Sequence, residues 1–525
     1  MTRSVTPQEV RLDLVLRREI ALLDVREEYA FAHGHPLFAA SLPLSRLELD
    51  AWIRLPRRDV RVVVCDAGEG LAAVAAERLG RLGYSDVGVL DGGIEGWRAA
   101  GYELFLDVNS YAKAFGELVE SRAHTPSILP EELKARLERR DDLVVLDARK
   151  FEEYRTMSIP SGVSVPGAEL VLRARELAPD PDTTIVVNCA GRTRSLIGAQ
   201  SLINAGVPNR VFALRNGTIG WTLAGQTLDT GADRRFPETS APRAEQAAAA
   251  ARAVAYRAGV RRIAPDELEH LAADGTRTLY RFDVRTPEEF AAGHAPGFRS
   301  APGGQLVQEI DVSAPVRGAR IVLYDDTGVR AGMTASWLAQ MGWEVFVLDG
   351  LPASALTRTG SEPAVLPPPP EARTLTPAAL AERLRLPTTV LLDLGPSPAY
   401  REGHIPGAAF AIRSRLAAAL AGLGPAAEIV LTSPDGLLAR YAADEVEVLA
   451  VRKPLVLEGG TEAWTRAGRP LEAGDGRGVT PFEDVYRRPY EGTDNPVDAM
   501  QAYLDWEFGL VAQLERDGSH GFFVI

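Results

Sequence analysis

The sequence repeats one pattern of apolar runs and polar loops four times, and this repeat restricts the fold more than any other feature of the chain. The first apolar run of each copy ends in an aspartate, at Asp24, Asp147, Asp283 and Asp393. A second run enters a polar loop, whose first residues are Cys65, Cys189, Asp325 and Ser433. These loop residues follow the aspartates by 41, 42, 42 and 40 residues. We therefore predict four copies of one structural unit.

Smaller motifs recur inside the copies. Three copies contain Asp-x-Arg, at Arg26, Arg149 and Arg285. The third and fourth copies contain Gly-His-x-Pro-Gly, at residues 293–297 and 403–407. A tryptophan follows the loop after 31 or 32 residues in three copies, at Trp97, Trp221 and Trp464. We interpret the aspartates and the turn histidines His294 and His404 as structural residues, and the tryptophans as core residues.

The alternation of strand and helix patterns, with uninterrupted Val, Ile and Leu strands, predicts parallel sheets that are covered on both faces. The predicted fold is α/β, with four tandem domains that each consist of a parallel sheet flanked by helices. We place these domains at residues 1–105, 125–228, 257–355 and 372–472, followed by a partly helical C-terminal tail at 473–525.

The segments between the copies have the composition of linkers. Residues 229–245 are polar and lead into an Ala-rich run, 246–256, that is predicted to be helical. Pro367 to Pro370 predict a stiff, extended spacer before the fourth copy. In the tail, residues 497–518 are predicted to form one amphipathic helix that packs back on a domain or on a partner.

Composition restricts the partners and the compartment. The net charge is −13, which disfavours binding to nucleic acid. Two cysteines and seven histidines provide neither a disulfide framework nor a zinc cluster, and they favour a reducing compartment. Because charges interrupt every apolar run, we expect no signal peptide, no membrane span and a cytoplasmic location.

Taken together, these motifs resemble the rhodanese domain. The resemblance is carried by Asp-x-Arg, by Gly-His-Ile-Pro-Gly-Ala at 403–408, by the strand-Cys-loop-helix of the second copy, and by Gly-Gly-x-x-x-Trp, and it covers about 400 of the 525 residues. It implies a tandem sulfurtransferase that needs no cofactor and carries sulfane sulfur on a cysteine persulfide. The second copy departs from the family pattern at Met157 and Ser158, where the family usually has Gly-His.

Cys189 is the predicted catalytic residue. It begins a loop between a strand and a helix, where backbone N–H groups and the helix N-terminus favour an anion. We expect this field to lower the pKa of the thiol, so that no separate base is required. The residues predicted to bind the substrate anion follow directly, and they are Gly191, Arg192, Thr193, Arg194 and Ser195.

The other three loops predict little or no catalysis. Cys65 is interpreted as occupying the position of Cys189, but its loop contains Asp66 and Glu69, which would raise the thiol pKa and repel anions. A relay role and an inert thiol therefore both remain open for Cys65. Asp325 and Ser433 cannot carry a persulfide, so the third and fourth copies are predicted to be inactive.

The leading functional hypothesis is transfer of sulfane sulfur from thiosulfate or a persulfide, a small anionic donor, to a thiol or cyanide. A protein acceptor is also compatible with the sequence. One alternative is a non-enzymatic sulfur carrier or scaffold, because two copies lack cysteine. Another is a phosphatase or arsenate reductase, but only four residues separate Cys189 from Arg194, where phosphatase loops of this kind have five.

Overall fold

The computed structural model describes residues 3–423 and 428–525, and it shows four sheets of the same topology. In the first copy the strands are β1 (Arg3–Val5), β2 (Ile20–Asp24), β3 (Ala40–Ser41), β4 (Val62–Cys65) and β5 (Val87–Leu90). Its helices are α1 (Pro7–Val15), α2 (Glu28–Ala32), α3 (Leu47–Arg54), α4 (Leu71–Arg81) and α5 (Gly93–Ala99), with a 3-10 turn at Leu44–Arg46. A helix that the sequence analysis did not assign, α6 (Ser110–Ala123), connects it to the second copy.

The second copy repeats this order. Its strands are β6 (Ser127–Ile128), β7 (Leu143–Asp147), β8 (Val163–Ser164), β9 (Thr184–Asn188) and β10 (Val211–Leu214). Its helices are α7 (Pro130–Arg139), α8 (Phe151–Thr156), α9 (Leu170–Leu177), α10 (Thr193–Asn204) and α11 (Gly217–Leu223), with a 3-10 turn at Gly167–Glu169. The Ala-rich linker forms α12 (Ala241–Arg257), which begins five residues earlier than predicted.

The third copy contains one additional strand. Its strands are β11 (Arg261–Ile263), β12 (Leu279–Asp283), β13 (Arg299–Ser300), β14 (Val316–Arg317), β15 (Arg320–Tyr324) and β16 (Glu344–Leu348). Its helices are α13 (Pro265–Asp274), α14 (Pro287–Ala292), α15 (Gly303–Gln308), α16 (Ile310–Ser313) and α17 (Val329–Gln340), with a 3-10 turn at Ala353–Ala355. Strand β14 pairs antiparallel with β2, so the third copy extends the sheet of the first.

The fourth copy and the tail complete the chain. The strands are β17 (Arg373–Leu375), β18 (Thr389–Asp393), β19 (Ala409–Phe410), β20 (Glu428–Thr432), β21 (Leu455–Leu457) and β22 (Arg477–Gly478). The helices are α18 (Pro377–Arg383), α19 (Ser397–Glu402), α20 (Leu416–Gly422), α21 (Leu437–Ala450) and α22 (Gly460–Arg466), with a 3-10 turn at Arg413–Arg415. The tail contains α23 (Val497–Phe508) and α24 (Leu510–Asp517), so the single helix predicted there is divided at Gly509.

Each copy has one central parallel sheet, as predicted. In the second copy the strand order is β6-β10-β9-β7-β8, and the other copies have the equivalent order. Val145 and Leu146 of β7 and all the apolar residues of β9 are buried, since helices cover both faces of the sheet. The carboxyl ends of the two central strands lie side by side, with Asp147 opposite Asn188. A loop that follows β9 therefore lies at the edge where ligands bind in sheets of this kind.

The Asp-x-Arg turns and the histidines have the structural roles that the sequence predicted. In the second copy, Arg149 binds Asp147 through both carboxylate oxygens and also donates to the carbonyl of Met157. In the third copy, the ring of His294 stacks on Phe290 and bonds to its carbonyl oxygen at 2.9 Å. These contacts fix the turn after the first central strand.

The polar contacts of the fourth copy attach it to the first. The Arg413 guanidinium is buried and binds Glu48 of the first copy at 2.6 Å. The proline spacer packs against the fourth copy, because Pro367 is buried and its carbonyl accepts a hydrogen bond from Tyr441 of α21. The spacer is therefore anchored at Pro367, whereas Pro368 is exposed. No helix in the described ranges has both the length and the apolar character to cross a membrane.

Candidate active site

Cys189 lies in the loop between β9 and α10, beside the carboxyl ends of the central strands. Only 2% of the residue is exposed. Its thiol donates to the hydroxyl of Ser195 at 3.5 Å, and that hydroxyl donates to the carbonyl of Arg192 at 2.8 Å. The loop therefore curls around the sulfur, and the first turn of α10 begins next to it.

The start of α11 fixes the position of this loop. The backbone N–H of Thr218 donates to the carbonyl of Cys189 at 2.9 Å, and that of Ile219 donates to the carbonyl of Ala190 at 3.0 Å. Gly217 allows this approach, because its φ is +56° and an added Cβ would lie 2.3 Å from the carbonyl oxygen of Cys189. A glycine is required here on both counts.

In each of the four loops, one backbone N–H points at the side chain of the residue that directly follows the central strand. The donor is always six residues after that residue. Ala72 donates to Asp66 at 3.0 Å, Ala331 donates to Asp325 at 3.1 Å, and Ala439 donates to Ser433 at 3.3 Å. In the second copy this position is Ser195, whose backbone N–H also bonds to Cys189 and acts to lower the pKa of its thiol. We call this arrangement, in which the loop surrounds one side chain and points a backbone N–H at it, the cradle. Because two of the copies place a carboxylate in the cradle, the loop is suited to an anion.

This comparison corrects the interpretation of Cys65. In the sheets, Cys65 is paired with Asp24 in the same way that Asn188 is paired with Asp147. The residue equivalent to Cys189 is therefore Asp66, which follows Asp24 by 42 residues. Cys65 is the last residue of β4 and is completely buried, and this burial raises the pKa of its thiol far above the usual value.

Asp325 fills the cradle of the third copy, as its sequence position predicted. Its carboxylate accepts from the backbone N–H of Thr327 at 3.2 Å and of Ala331 at 3.1 Å. Asp66 does the same in the first copy, where it accepts from Gly68 and Ala72 at 3.0 Å each. In both copies the carboxylate satisfies the N–H donors that would otherwise bind an anionic ligand.

Burial dominates the electrostatics of Cys189. Removal from water raises the pKa of the thiol, while the charge of Arg194 and the hydrogen bonds of Ser195 act in the opposite direction. The net direction is upward, so the expected lowering of the thiol pKa is wrong for this closed arrangement. The loop reduces the cost of forming the thiolate without cancelling the cost of burial.

Arg194 forms an ion pair at the mouth of the loop. Its two Nη atoms bind the carboxylate oxygens of Glu153 at 2.7 and 2.8 Å. Burial raises the pKa of Glu153, but the charge and hydrogen bonds of Arg194 outweigh this and bring it down to about 2. The third copy has the equivalent pair, Arg330 and Glu289, at 2.6 Å. The first and fourth copies lack both partners, having Leu71 with Ala30 and Leu438 with Ala399.

Arg192 points away from the loop interior, so it does not have the place that the sequence predicted for it. Its guanidinium binds Glu117 of α6 at 2.7 and 2.9 Å and also pairs with Glu120. Its outer face lies 4.1 Å from the centre of the Phe508 ring. Two carboxylates and an aromatic ring thus occupy the donors and the face that an anion would need. Arg192 connects the loop to α6 and the tail.

Thr193 also faces α6. A Cβ added to Gly116 of that helix would lie 2.8 Å from Cγ2 of Thr193. Gly191 faces the tail instead, and a Cβ there would lie 3.1 Å from both Tyr503 and Glu507 of α23. Of the five predicted binding residues, Arg194 and Ser195 face Cys189, Gly191 lies beneath α23, and Arg192 and Thr193 are directed to α6.

The tail therefore covers the loop, which sequence reasoning did not foresee. Helix α23 packs on α11 and α6 through Met500, Tyr503 and Leu504. Beside it, a cavity of about 340 Å³ reaches Arg194 and is lined by parts of the second copy, the third copy and the tail. The amphipathic pattern of 497–518 indicated a packing helix, but not the surface on which it packs. Within the described ranges, no group of three or more His, Cys, Asp or Glu side chains could hold a metal ion.

Comparison with known proteins agrees with this architecture. The model of the rhodanese-like domain family matches residues 6–100, 129–224, 264–350 and 376–467. A crystal structure of thiosulfate sulfurtransferase from Pseudomonas aeruginosa is 60% identical, covers 100% of both chains and has a TM-score of 0.98. These matches include all four copies and extend through the tail.

Matches to curated proteins are confined to about one copy. Thiosulfate sulfurtransferase GlpE from Pseudomonas putida (strain GB-1) is 35% identical over 94 residues, which cover 18% of this chain and 83% of that protein. The HTH-type transcriptional regulator Rv0324 from Mycobacterium tuberculosis is 34% identical over 91 residues, which cover 17% of this chain and 39% of that protein. The chain thus spans well under half of the regulator and most of the single-copy enzyme.

Proposed function

Because this chain belongs to the family of rhodanese-like domain proteins, we propose that it is a sulfurtransferase that moves sulfane sulfur through a persulfide on Cys189. The donor is thiosulfate or a persulfide, and the acceptor is a thiol or cyanide. The full-length similarity to a thiosulfate sulfurtransferase supports this proposal. The single observation that carries it is the cradle comparison, in which Cys189 is the one nucleophilic thiol among four equivalent loop positions.

The geometry suggests how the two half-reactions proceed. The thiolate of Cys189 attacks the outer sulfur of thiosulfate, the sulfur–sulfur bond breaks, and sulfite leaves with the electron pair. The persulfide that remains is anionic, and the backbone N–H of Ser195 points at the sulfur. The hydroxyl of Ser195 donates to the carbonyl of Arg192 while Cys189 is a thiol, and it can turn to donate to the anion. A thiol or cyanide acceptor then attacks the terminal sulfur, and Cys189 is released as thiolate.

The inactive copies have a structural role in this proposal. Arg330 of the third copy is buried and binds Glu169 of the second copy at 2.9 Å. Gly304 of the third copy also approaches Gly167 so closely that a Cβ there would lie 2.9 Å from the Cα of Gly167. These contacts hold the third copy against the one that contains Cys189. A structural role of this kind explains why a copy without a nucleophile keeps its fold.

Mass spectrometry of the intact protein after treatment with thiosulfate tests the proposal. We expect the mass to increase by one sulfur atom, and peptide mapping to locate the addition at Cys189. Cyanide should then remove the sulfur and restore the original mass. A protein that gains no sulfur, or gains it at Cys65, would contradict the proposal.

Replacing Arg194 by alanine should weaken the reaction with thiosulfate by about tenfold to a hundredfold in kcat/KM, which corresponds to roughly 1.5–3 kcal/mol. The variant loses the cation whose charge acts to lower the pKa of the Cys189 thiol, and it leaves Glu153 as an unpaired carboxylate beside the donor. Steady-state kinetics with thiosulfate and with a neutral sulfane donor measures the effect, which should be smaller for the neutral donor.

A matched control for this variant is Arg136→Ala in the same copy. Arg136 also pairs with a carboxylate, that of Glu132 at 2.6 Å, but the pair lies on the surface of α7. Its removal should leave kcat/KM unchanged. Equal losses for the anionic and the neutral donor in Arg194→Ala would show that Arg194 shapes the loop instead of attracting charge.

A further inference from the structure

Glu507 of α23 has a buried carboxyl group with one unused oxygen atom. The residue is 0% exposed. Its Oε1 accepts a hydrogen bond from the hydroxyl of Tyr503 at 2.8 Å. Its Oε2 is buried and has no hydrogen-bond partner among the residues that the structure describes. A carboxyl group in this condition is costly unless a ligand or a proton completes it.

The unused oxygen faces the Cys189 loop. A Cβ added to Gly191 would lie 3.1 Å from Oε2 of Glu507, so this atom is in contact with the backbone of the loop. Glu507 is also close enough to Cys189 for its charge to raise the pKa of the thiol. A residue from the tail, outside the four stretches that match the family model, therefore contributes to the site.

The groups around Glu507 favour its neutral form. Lys113 and Glu117 face it from α6, Arg192 faces it from the loop, and Tyr503 from its own helix. Both cations are already committed, since Lys113 binds Asp107 at 3.0 Å and Arg192 binds Glu117 at 2.7 Å. Burial, with the charge of Glu117, raises the pKa of Glu507 to about 8. At neutral pH the group is thus mostly a carboxylic acid, whose proton has no acceptor among the residues at 3–423 and 428–525.

We propose that Glu507 is a catalytic acid that gives its proton to the sulfite leaving group, an inference that rests on the function proposed above. The thiolate of Cys189 bonds to the outer sulfur of thiosulfate while the sulfur–sulfur bond breaks. The electron pair of that bond goes to sulfite, which takes the proton of Glu507 and departs as hydrogensulfite. Glu507 is left as a carboxylate, and it regains a proton from the thiol acceptor or from water before the next turnover.

This role makes Glu507 a determinant of donor class. Sulfite is basic enough to benefit from a proton as it leaves. An arenethiosulfonate transfers the same sulfane sulfur but releases an arenesulfinate, which is a much weaker base and leaves without a proton. The acid should therefore matter for thiosulfate and not for the arenethiosulfonate.

The test compares the wild-type protein with Glu507→Gln in single-turnover experiments with the two donors. Formation of the Cys189 persulfide is followed by mass spectrometry, and release of sulfite or sulfinate is followed in parallel. Glutamine keeps the size and the hydrogen-bonding capacity of the side chain but has no acid proton. We expect persulfide formation from thiosulfate to slow about a hundredfold, and formation from benzenethiosulfonate to change by no more than about twofold.

A second variant tests the same group through its pKa. Because the acid acts in its protonated form, and the ionisation of Cys189 affects both donors equally, the ratio of the wild-type rate with thiosulfate to the rate with benzenethiosulfonate should fall as the pH rises through about 8. The hydroxyl of Tyr503 stabilises the carboxylate, so Tyr503→Phe should raise the pKa of Glu507 and move this fall to higher pH. A merely structural role of α23 would lower the rate without moving the pH at which this fall occurs.

The outcomes separate this inference from the function on which it rests. Formation of the persulfide by the wild-type protein from either donor supports the function, and its absence with both would overturn the function and the inference together. If the wild-type protein forms the persulfide but Glu507→Gln slows both donors equally, or neither, Glu507 is not the acid. The same conclusion would follow if the fall near pH 8 occurred at the same pH in Tyr503→Phe as in the wild-type protein.

Discussion

Replacing Cys189 by serine should abolish sulfur transfer from thiosulfate to cyanide, with a loss at the limit of detection. The hydroxyl of serine is a far weaker nucleophile than a thiolate, and the loop offers it no base. The fold should survive, because the fourth copy has a serine in the same cradle, where Ser433 accepts the N–H of Ala439 at 3.3 Å. Steady-state assays and circular dichroism of the purified variant measure the two effects.

Cys65→Ser is the matched control for this variant. Cys65 is equally buried, but it ends a strand one position before the cradle. The substitution buries a hydroxyl, so we expect a modest loss of stability and nearly full activity. An active Cys189→Ser protein, or an inactive and well-folded Cys65→Ser protein, would show that the nucleophile is Cys65 of the first copy.

The repeat and the parallel sheets could be predicted because they depend on local patterns. Apolar strands, turn motifs and spacings are properties of neighbouring residues in the chain, and they recur four times. The register at the end of β4 was harder to predict from the sequence. Cysteine was taken as the marker, although the spacing of 42 residues that holds in the second and third copies points to Asp66. A one-residue shift changes which side chain faces the loop, because successive side chains in a strand alternate.

Arg192 and Arg194 show where reasoning from sequence ends. Both follow Cys189 within five residues, and nothing in the local sequence distinguishes a cation at the mouth of the loop from a cation that anchors it. The difference arises from Glu153, which lies on α8, and from Glu117, which lies on α6. These carboxylates are 41 and 75 residues away in the chain, so only the packing of the copies assigns each arginine its partner.

The tail is the largest part of the site that could not be predicted. Its pattern indicated an apolar face, but an apolar face does not identify its binding surface. In the structure, Lys113 of α6 is enclosed by the rings of Tyr490, Tyr503 and Trp506, at 4.9 to 5.5 Å. A buried lysine needs an anion or aromatic rings around it. The sequence did not reveal this need, because neither helix α6 nor the burial of Lys113 could be assigned from the local pattern.

Gly217→Ala should reduce sulfurtransferase activity at least about a hundredfold, because a displacement of the loop by about 1 Å is enough for such a loss. The new Cβ would lie 2.3 Å from the carbonyl oxygen of Cys189 and 2.7 Å from that of Gly191. Neither the loop nor α11 can remain in place with these contacts, so the sulfur would move away from the N–H of Ser195. The measurement is kcat/KM with thiosulfate, together with Tm by circular dichroism.

Gly206→Ala isolates the steric part of this effect. Gly206 lies in the same copy and has a φ of +71°, but an added Cβ would meet nothing within 4 Å. Both variants therefore place alanine in the left-handed region, which costs roughly 1–2 kcal/mol, whereas only Gly217→Ala presses on the loop. We expect Gly206→Ala to lower Tm slightly and to keep its activity. Equal loss of activity in the two variants would mean that backbone strain, and not the position of Cys189, limits the reaction.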